Sequence, residues 1–150
     1  GNTLPGNEQI EQEVLEYQAL FFGDTQPARL QHLRQTAAIL MQELTQFNPY
    51  LIGAVLNGTA GEHSDIHLHL YTDNSKDVAI YLLNAGIDYE VSEHQGKRGE
   101  PLETLSFMFK NEGVHLLVHD ADDVRHTDKK ERGNLAHLKS LIEQAEHHDQ

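Results

Sequence analysis

The sequence predicts an α/β domain of the α+β kind, with helices packed on a mixed β-sheet of about five strands. Three observations favour this class. Several segments repeat apolar residues at three- and four-residue steps, strand-length apolar or alternating runs lie between them, and Gly or Pro separates the two kinds of segment. The chain has 150 residues, enough for one core, so we expect a single domain over residues 1–150.

A pair of helices is predicted over residues 7–47, after a small, polar lead-in at residues 1–6. The first helix, Asn7 to Phe22, ends before a glycine, and the second begins near Thr25 and stops at Asn48-Pro49. The apolar stripe of the second helix comprises Leu30, Leu33, Ala37, Leu40, Met41 and Leu44. This stripe must pack on other elements.

The sheet is predicted over residues 50–119. Tyr50 to Leu56 is a continuous apolar run, typical of a strand buried on both faces, and residues 57–64 form a short polar turn. From Asp65 to Tyr71 polar and apolar residues alternate, which predicts a strand with one face in the core. The core face carries Ile66, Leu68 and Leu70, and the other face carries Asp65, His67, His69 and Tyr71.

Further elements follow along the chain. A helix is expected from Ser75 to Ala85, carrying Val78, Leu82 and Leu83, and a strand from Ile87 to Glu93. Two more strands are predicted at Leu102–Phe109 and Val114–His119, joined as a hairpin through residues 110–113. The last helix is expected over residues 129–147, with Leu135, Leu138, Leu141 and Ile142 on its buried side.

Composition excludes several classes of protein. The net charge is -13 and the 11 Lys and Arg residues are scattered, so stable nucleic-acid binding is not expected. The sequence has no cysteine, which removes thiolate catalysis and favours a reducing, cytoplasmic location. Its apolar runs are too short to span a membrane.

The stretch with the most chemical information runs from Asn57 to Tyr71. A glycine turn lets backbone amides approach an anion, and Thr59 adds a hydroxyl donor beside Gly58. Acidic and imidazole groups two positions apart on a strand stand side by side and can share a metal ion. The predicted metal ligands are Asp65, His67, His69 and His115, and His119 lies on the same strand face as His115. The alternative is a polar sheet face that is only solvated.

The order of strand, glycine-hydroxyl turn and Ser64-Asp65-Ile66-His67 strand resembles the polymerase-β-like nucleotidyltransferases, including small bacterial ones, over about Pro49 to His119. The resemblance implies that nucleoside triphosphate phosphates bind at Gly58 and Thr59, and that Asp65 and His67 are catalytic. It places His67 and His115 where the family has its second and third carboxylates. The expected cofactor is a divalent metal, Mg²⁺, Mn²⁺ or Zn²⁺, although imidazole suits Zn²⁺ better than Mg²⁺.

Three hypotheses for the function follow. The first is a metal- or nucleotide-binding, regulatory domain that has lost the family's carboxylate site, as the histidines at positions 67 and 115 indicate. The second is an active metal-dependent enzyme that moves a nucleoside monophosphate to a hydroxyl acceptor. The third is an interaction module, in which the N-terminal helices form a homodimer or bind a protein partner.

Overall fold

A computed structural model describes residues 25–96, 98–125 and 132–148. The lead-in and the first predicted helix, Asn7 to Phe22, lie outside these residues. The described elements are α1 (Thr25–Glu43), β1 (Tyr50–Ile52), α2 (Gly53–Asn57), β2 (Ile66–Tyr71), α3 (Ser75–Asn84), β3 (Tyr89–Gln95), β4 (Pro101–Phe109), β5 (Glu112–His119) and α4 (Leu135–His148), with 3₁₀ turns at Thr45–Phe47 and Ala121–Arg125. The predicted α+β class, a five-stranded mixed sheet with helices packed on it, is confirmed.

The strand order across the sheet is β1-β2-β5-β4-β3. Strands β2 and β5 are parallel, and the other neighbouring pairs are antiparallel. The alternation predicted for β2 is confirmed, because its apolar residues are fully buried. The core face of the sheet includes Ile66, Leu68, Leu70, Val114 and Leu116. The opposite face, which we call the histidine face, includes His67, His69, His115 and His119.

Helices cover the core face. The predicted stripe of α1 is confirmed, since Leu33, Ala37, Leu40, Met41 and Leu44 are buried, with Leu30 partly buried beside them. Burying a side chain of this kind stabilises the fold by about 1.5–3 kcal/mol. Helix α4 packs against α1 and β1. In α3, Val78 and Leu82 are buried as predicted, whereas Leu83 is 63% exposed.

The long first strand predicted from Tyr50 to Leu56 is wrong. Strand β1 ends at Ile52, and the next residues form the short helix α2. Gly53 has a φ of 78°, which an extended strand does not accept. Val55 and Leu56 are therefore buried from a helix, and Arg34 donates hydrogen bonds to both of their carbonyl oxygens at 2.9 and 3.0 Å.

The hairpin between β4 and β5 is tighter than predicted. Its loop is two residues, Lys110 and Asn111, with φ values of 51° and 70°, and Phe109 already pairs with Glu112. Positive φ at both central residues is typical of a type I′ turn, whose twist matches the flanking strands. A four-residue loop over 110–113 would have shifted the pairing of the two strands by two residues.

Other element boundaries also differ from expectation. Helix α3 ends at Asn84, one residue before its predicted end, and β3 covers Tyr89–Gln95 rather than residues 87–93. Helix α4 begins at Leu135 because the side chain of Asn134 accepts a hydrogen bond from the His137 amide at 2.9 Å, as a helix cap does. The predicted start near Lys129 is wrong, since residues 132–134 are not helical.

In the part of the chain that the structure describes, no helix is both long and apolar enough to cross a membrane.

Asn48 joins the end of the α1 region to β1 in a left-handed conformation, with φ 54° and ψ 64°. Its side-chain amide donates a 3.0 Å hydrogen bond to the Tyr71 carbonyl. We expect Asn48→Ala to destabilise the fold by about 2 kcal/mol, because alanine loses this bond and disfavours positive φ. Asn48→Gly loses only the bond and should cost about half as much; urea unfolding measures both. A larger loss for glycine than for alanine would contradict this account.

Candidate functional site

The histidine face brings four imidazoles together on two neighbouring strands. In the parallel pairing of β2 and β5, His67 lies beside His115 and Tyr71 lies beside His119. The rings of His67 and His115 stack with centroids 4.8 Å apart, and those of His69 and His119 lie 4.5 Å apart. The residues divide into two groups, one at each end of the face.

The first group is a line of hydrogen bonds from Asp65 through His115 to Ser106. Asp65 Oδ2 lies 2.8 Å from His115 Nε2, and His115 Nδ1 lies 2.8 Å from Ser106 Oγ. Ser106 faces His115 directly in the β4–β5 pairing. Gly113 makes room for the carboxylate, since a Cβ at that position would lie 2.5 Å from Asp65 Oδ1.

The second group is the pair His69 and His119. Nδ1 of His69 and Nε2 of His119 are 3.2 Å apart, so one ring donates a hydrogen bond to the other. Tyr71 stacks on the His119 ring at 4.9 Å. The Arg132 guanidinium lies over the Tyr50 ring, 4.3 Å from its centroid, at the edge of this group.

Burial lowers the pKa of three of these imidazoles, His67, His69 and His119. It lowers the pKa of His69 to about 4, and the neighbouring His119 and Arg132 add to the effect. Burial also lowers the pKa of His67, with a further contribution from His115, and it lowers the pKa of His119. A neutral imidazole offers one lone pair, the form that binds metal ions.

Two grooves meet at Ser106 and His115. One has a volume of 580 Å³ and is lined by the carboxylates of Glu62, Asp65, Asp88, Glu90 and Glu112; we call it the acidic groove. The other has a volume of 500 Å³ and has no Asp, Glu, Lys or Arg in its lining, which consists of apolar, hydroxyl and imidazole side chains; we call it the neutral groove. Ser106 and His115 therefore lie on the boundary between two different environments.

Gly58 and Thr59, the residues expected to hold phosphate, have another local role. Gly58 closes α2 in a left-handed conformation, and its amide donates to the Ala54 carbonyl at 2.9 Å. The Thr59 amide donates to the same carbonyl at 3.0 Å. Both backbone donors are thus occupied within the chain. The glycine that directly follows β1 is Gly53, where a Cβ would meet nothing within 4 Å.

The four side chains predicted as metal ligands make separate contacts in the structure. Asp65 bonds to His115, His67 stacks on His115, and His69 pairs with His119. Among residues 25–96, 98–125 and 132–148, no three His, Asp or Glu side chains are arranged to hold a metal ion. The donors present also do not suit the Mg²⁺ that the family resemblance implies, because the one carboxylate, Asp65, is already bonded to an imidazole.

Comparison of the sequence with protein-family models found no match, and comparison with curated protein sequences found none either. The resemblance to nucleotidyltransferases therefore stays a prediction made from the motif residues.

Sequence reasoning missed Ser106. The available signal was the alternation of β4, which puts Thr104 and Ser106 on the face opposite Leu105 and Phe107. That signal identifies a polar face without saying which residue of β5 lies opposite. The two-residue hairpin loop brings Ser106 next to His115.

Proposed function

We propose that this protein is a nucleotidyltransferase-like domain that binds a transition-metal ion through His69 and His119, rather than a Mg²⁺-dependent transferase. The observation that carries the proposal is the 3.2 Å separation of the two ring nitrogens. Two nitrogens bound about 2.0–2.1 Å from a tetrahedral Zn²⁺ ion lie ~3.3 Å apart. A small rotation of the two rings would direct both lone pairs to one ion.

The chemistry of the donors supports a borderline ion. Imidazole suits Zn²⁺, Ni²⁺ and Cu²⁺, whereas Mg²⁺ requires several oxygen ligands. The lowered pKa values of His69 and His119 mean that protons compete little with a metal at neutral pH. Two protein ligands leave coordination positions for water or for a donor atom of a ligand, as in binding sites rather than closed structural sites.

The relation to nucleotidyltransferases receives support from the position of Asp65, which lies directly before a central strand and at the edge of a groove. The same site lacks features that the family reaction needs. Its Asp65 is paired with His115, and five carboxylates line the acidic groove, which opposes the entry of a nucleoside triphosphate. These features favour the binding role over the transferase role.

We expect Zn²⁺ or Ni²⁺ to bind with one-to-one stoichiometry in calorimetric titration, and Mg²⁺ to give no heat. His69→Ala and His119→Ala should each weaken binding about tenfold or more, because each removes one of two ligands. His63→Ala is the matched control, since this histidine lies in an exposed turn with its side chain 94% accessible. Equal affinity in wild type and in both variants would exclude the site.

The same titrations with ATP test the transferase alternative. Mg²⁺-dependent ATP binding that disappears in Asp65→Ala, together with metal binding that is unchanged in His69→Ala, would favour an enzyme of the family type. Binding of Zn²⁺ without any nucleotide binding would support the proposal.

A further inference from the structure

The hydrogen bonds of Asp65, His115 and Ser106 determine where the protons lie. A carboxylate can only accept, so His115 Nε2 carries the hydrogen that it shares with Asp65 at 2.8 Å. In the neutral form of His115, the form that can act as a base, only one nitrogen is protonated, which leaves Nδ1 as an acceptor. Ser106 must then donate its hydroxyl proton to Nδ1 across 2.8 Å. A serine in this position has a general base already in contact with its proton.

We propose that Ser106 is the nucleophile of an acyl-transfer site, with His115 as its general base and Asp65 as the residue that positions the imidazole. The arrangement has the roles of a Ser-His-Asp triad with the two ring nitrogens exchanged. The three residues come from β4, β5 and the turn before β2, so the triad depends on the sheet pairing and not on a sequence motif. The inference is independent of metal binding at the other end of the face.

The reaction balances without a cofactor. As Ser106 Oγ forms a bond to the carbonyl carbon of an ester, its proton moves to His115 Nδ1. The bond between the carbonyl carbon and the leaving alcohol's oxygen then breaks, and that oxygen takes the proton from Nδ1. Water repeats the sequence on the acyl-serine: its oxygen bonds to the carbonyl carbon, its proton passes through His115, and the ester bond to Ser106 breaks.

The two grooves indicate the class of ester. The neutral groove has no carboxylate, Lys or Arg in its lining and carries Leu117 on the strand next to Ser106, so it fits an uncharged acyl group. The acidic groove on the other side carries five carboxylates, and its one arginine, Arg29, is bound to Glu112 at 2.6 Å. Anionic leaving groups such as phosphates are therefore disfavoured there, and a cationic alcohol is favoured. The expected substrate is an uncharged acyl ester of a cationic alcohol.

The protein contains its own control. Ser92 and His94 lie on the same face of the sheet, with Ser92 Oγ 3.4 Å from His94 Nε2. No carboxylate in the described parts of the chain is hydrogen-bonded to His94. This pair has the serine and the imidazole without the group that positions the ring. We therefore expect the Ser92 hydroxyl not to react as a nucleophile.

Labelling with a fluorophosphonate probe, mapped by peptide mass spectrometry, tests the nucleophile. We expect the full-length wild-type protein to be labelled at Ser106 and not at Ser92, with all labelling lost in Ser106→Ala. Asp65→Asn should slow labelling about 100-fold or more, because an amide at this position can donate to Nε2 and turn the wrong tautomer toward the serine. Circular dichroism shows whether each variant folds, and His115→Gln replaces Asp65→Asn if that variant does not.

Hydrolysis of butyrylcholine, compared with its uncharged carbon isostere, tests the substrate class. The cationic ester should have the higher kcat/KM. With the uncharged isostere, which does not sense the charge of the groove, Asp65→Asn should lower kcat while KM changes little, a division that loss of structure would not produce. Labelling of Ser92 as fast as Ser106, or labelling of Ser106 that is the same in folded Asp65→Asn, would overturn the proposal. Preference for the uncharged isostere would overturn the assignment of the acidic groove.

Discussion

Replacing Arg29 with methionine is expected to destabilise the fold by about 3 kcal/mol, because it removes the arginine from a buried carboxylate, which keeps its contact with the half-exposed His32 at 3.1 Å. Both guanidinium NH groups of Arg29 bond to Glu112 at 2.6 Å, and the Glu112 side chain is only 8% exposed. The hydrogen bond from Arg29 lowers the pKa of Glu112, with further contributions that include His32. The pair ties the first turns of α1 to the start of β5.

The double variant Arg29→Met with Glu112→Met shows whether the destabilisation comes from the buried charge of Glu112 or from lost packing of the arginine side chain. Removing both charges should recover most of the stability, since a pair of apolar side chains carries no desolvation cost. Urea unfolding at pH 7 gives the free energies for the wild type, the single variant and the double variant. If the double variant were as unstable as Arg29→Met, packing of the arginine stem would be the cause, and the buried charge would not.

The sequence predicted the fold best where the pattern of apolar residues is compatible with only one kind of secondary structure. The alternation of residues 65–71 is compatible only with a half-buried strand, and the spacing of Leu33, Ala37 and Leu40 only with a helix. Tyr50 to Leu56 had no such pattern, because every position is apolar or small. There the backbone of Gly53 and the hydrogen bonds from Arg34 decide the structure, and both depend on the tertiary fold.

The candidate site shows the same division. Asp65, His67 and His69 follow from the period of one strand, so their common face could be predicted. Their contacts could not, because contacts between strands depend on the register. With the hairpin loop taken as residues 110–113, Ser106 would lie opposite Leu117; with the loop at Lys110 and Asn111 it lies opposite His115. A difference of two residues in the loop therefore decides whether Ser106 lies opposite Leu117 or is hydrogen-bonded to His115.

Acid is expected to destabilise this protein from about pH 6.5 downward, before most carboxylates begin to titrate. The pKa of His69 is about 4 in the folded chain, against an ordinary value of 6.5. The unfolded chain therefore binds a proton at His69 below pH 6.5, whereas the folded chain does not bind it until about pH 4. The stability that the neutral ring provides is fully present above pH 6.5 and is lost as the pH falls from there toward 4, by about 1.4 kcal/mol per pH unit.

His69→Phe keeps an aromatic ring beside Tyr50 and His119 but cannot titrate. The wild type should lose on the order of 2 kcal/mol more than this variant between pH 7 and pH 5, measured by urea unfolding at each pH without added metal. His63→Gln, at an exposed turn, should keep the wild-type pH dependence. An identical pH dependence in wild type and His69→Phe would mean that the His69 ring is protonated as easily in the folded chain as in water. That result would also weaken the case for metal binding, since the His69 lone pair would then be no more available near neutral pH than that of an exposed histidine.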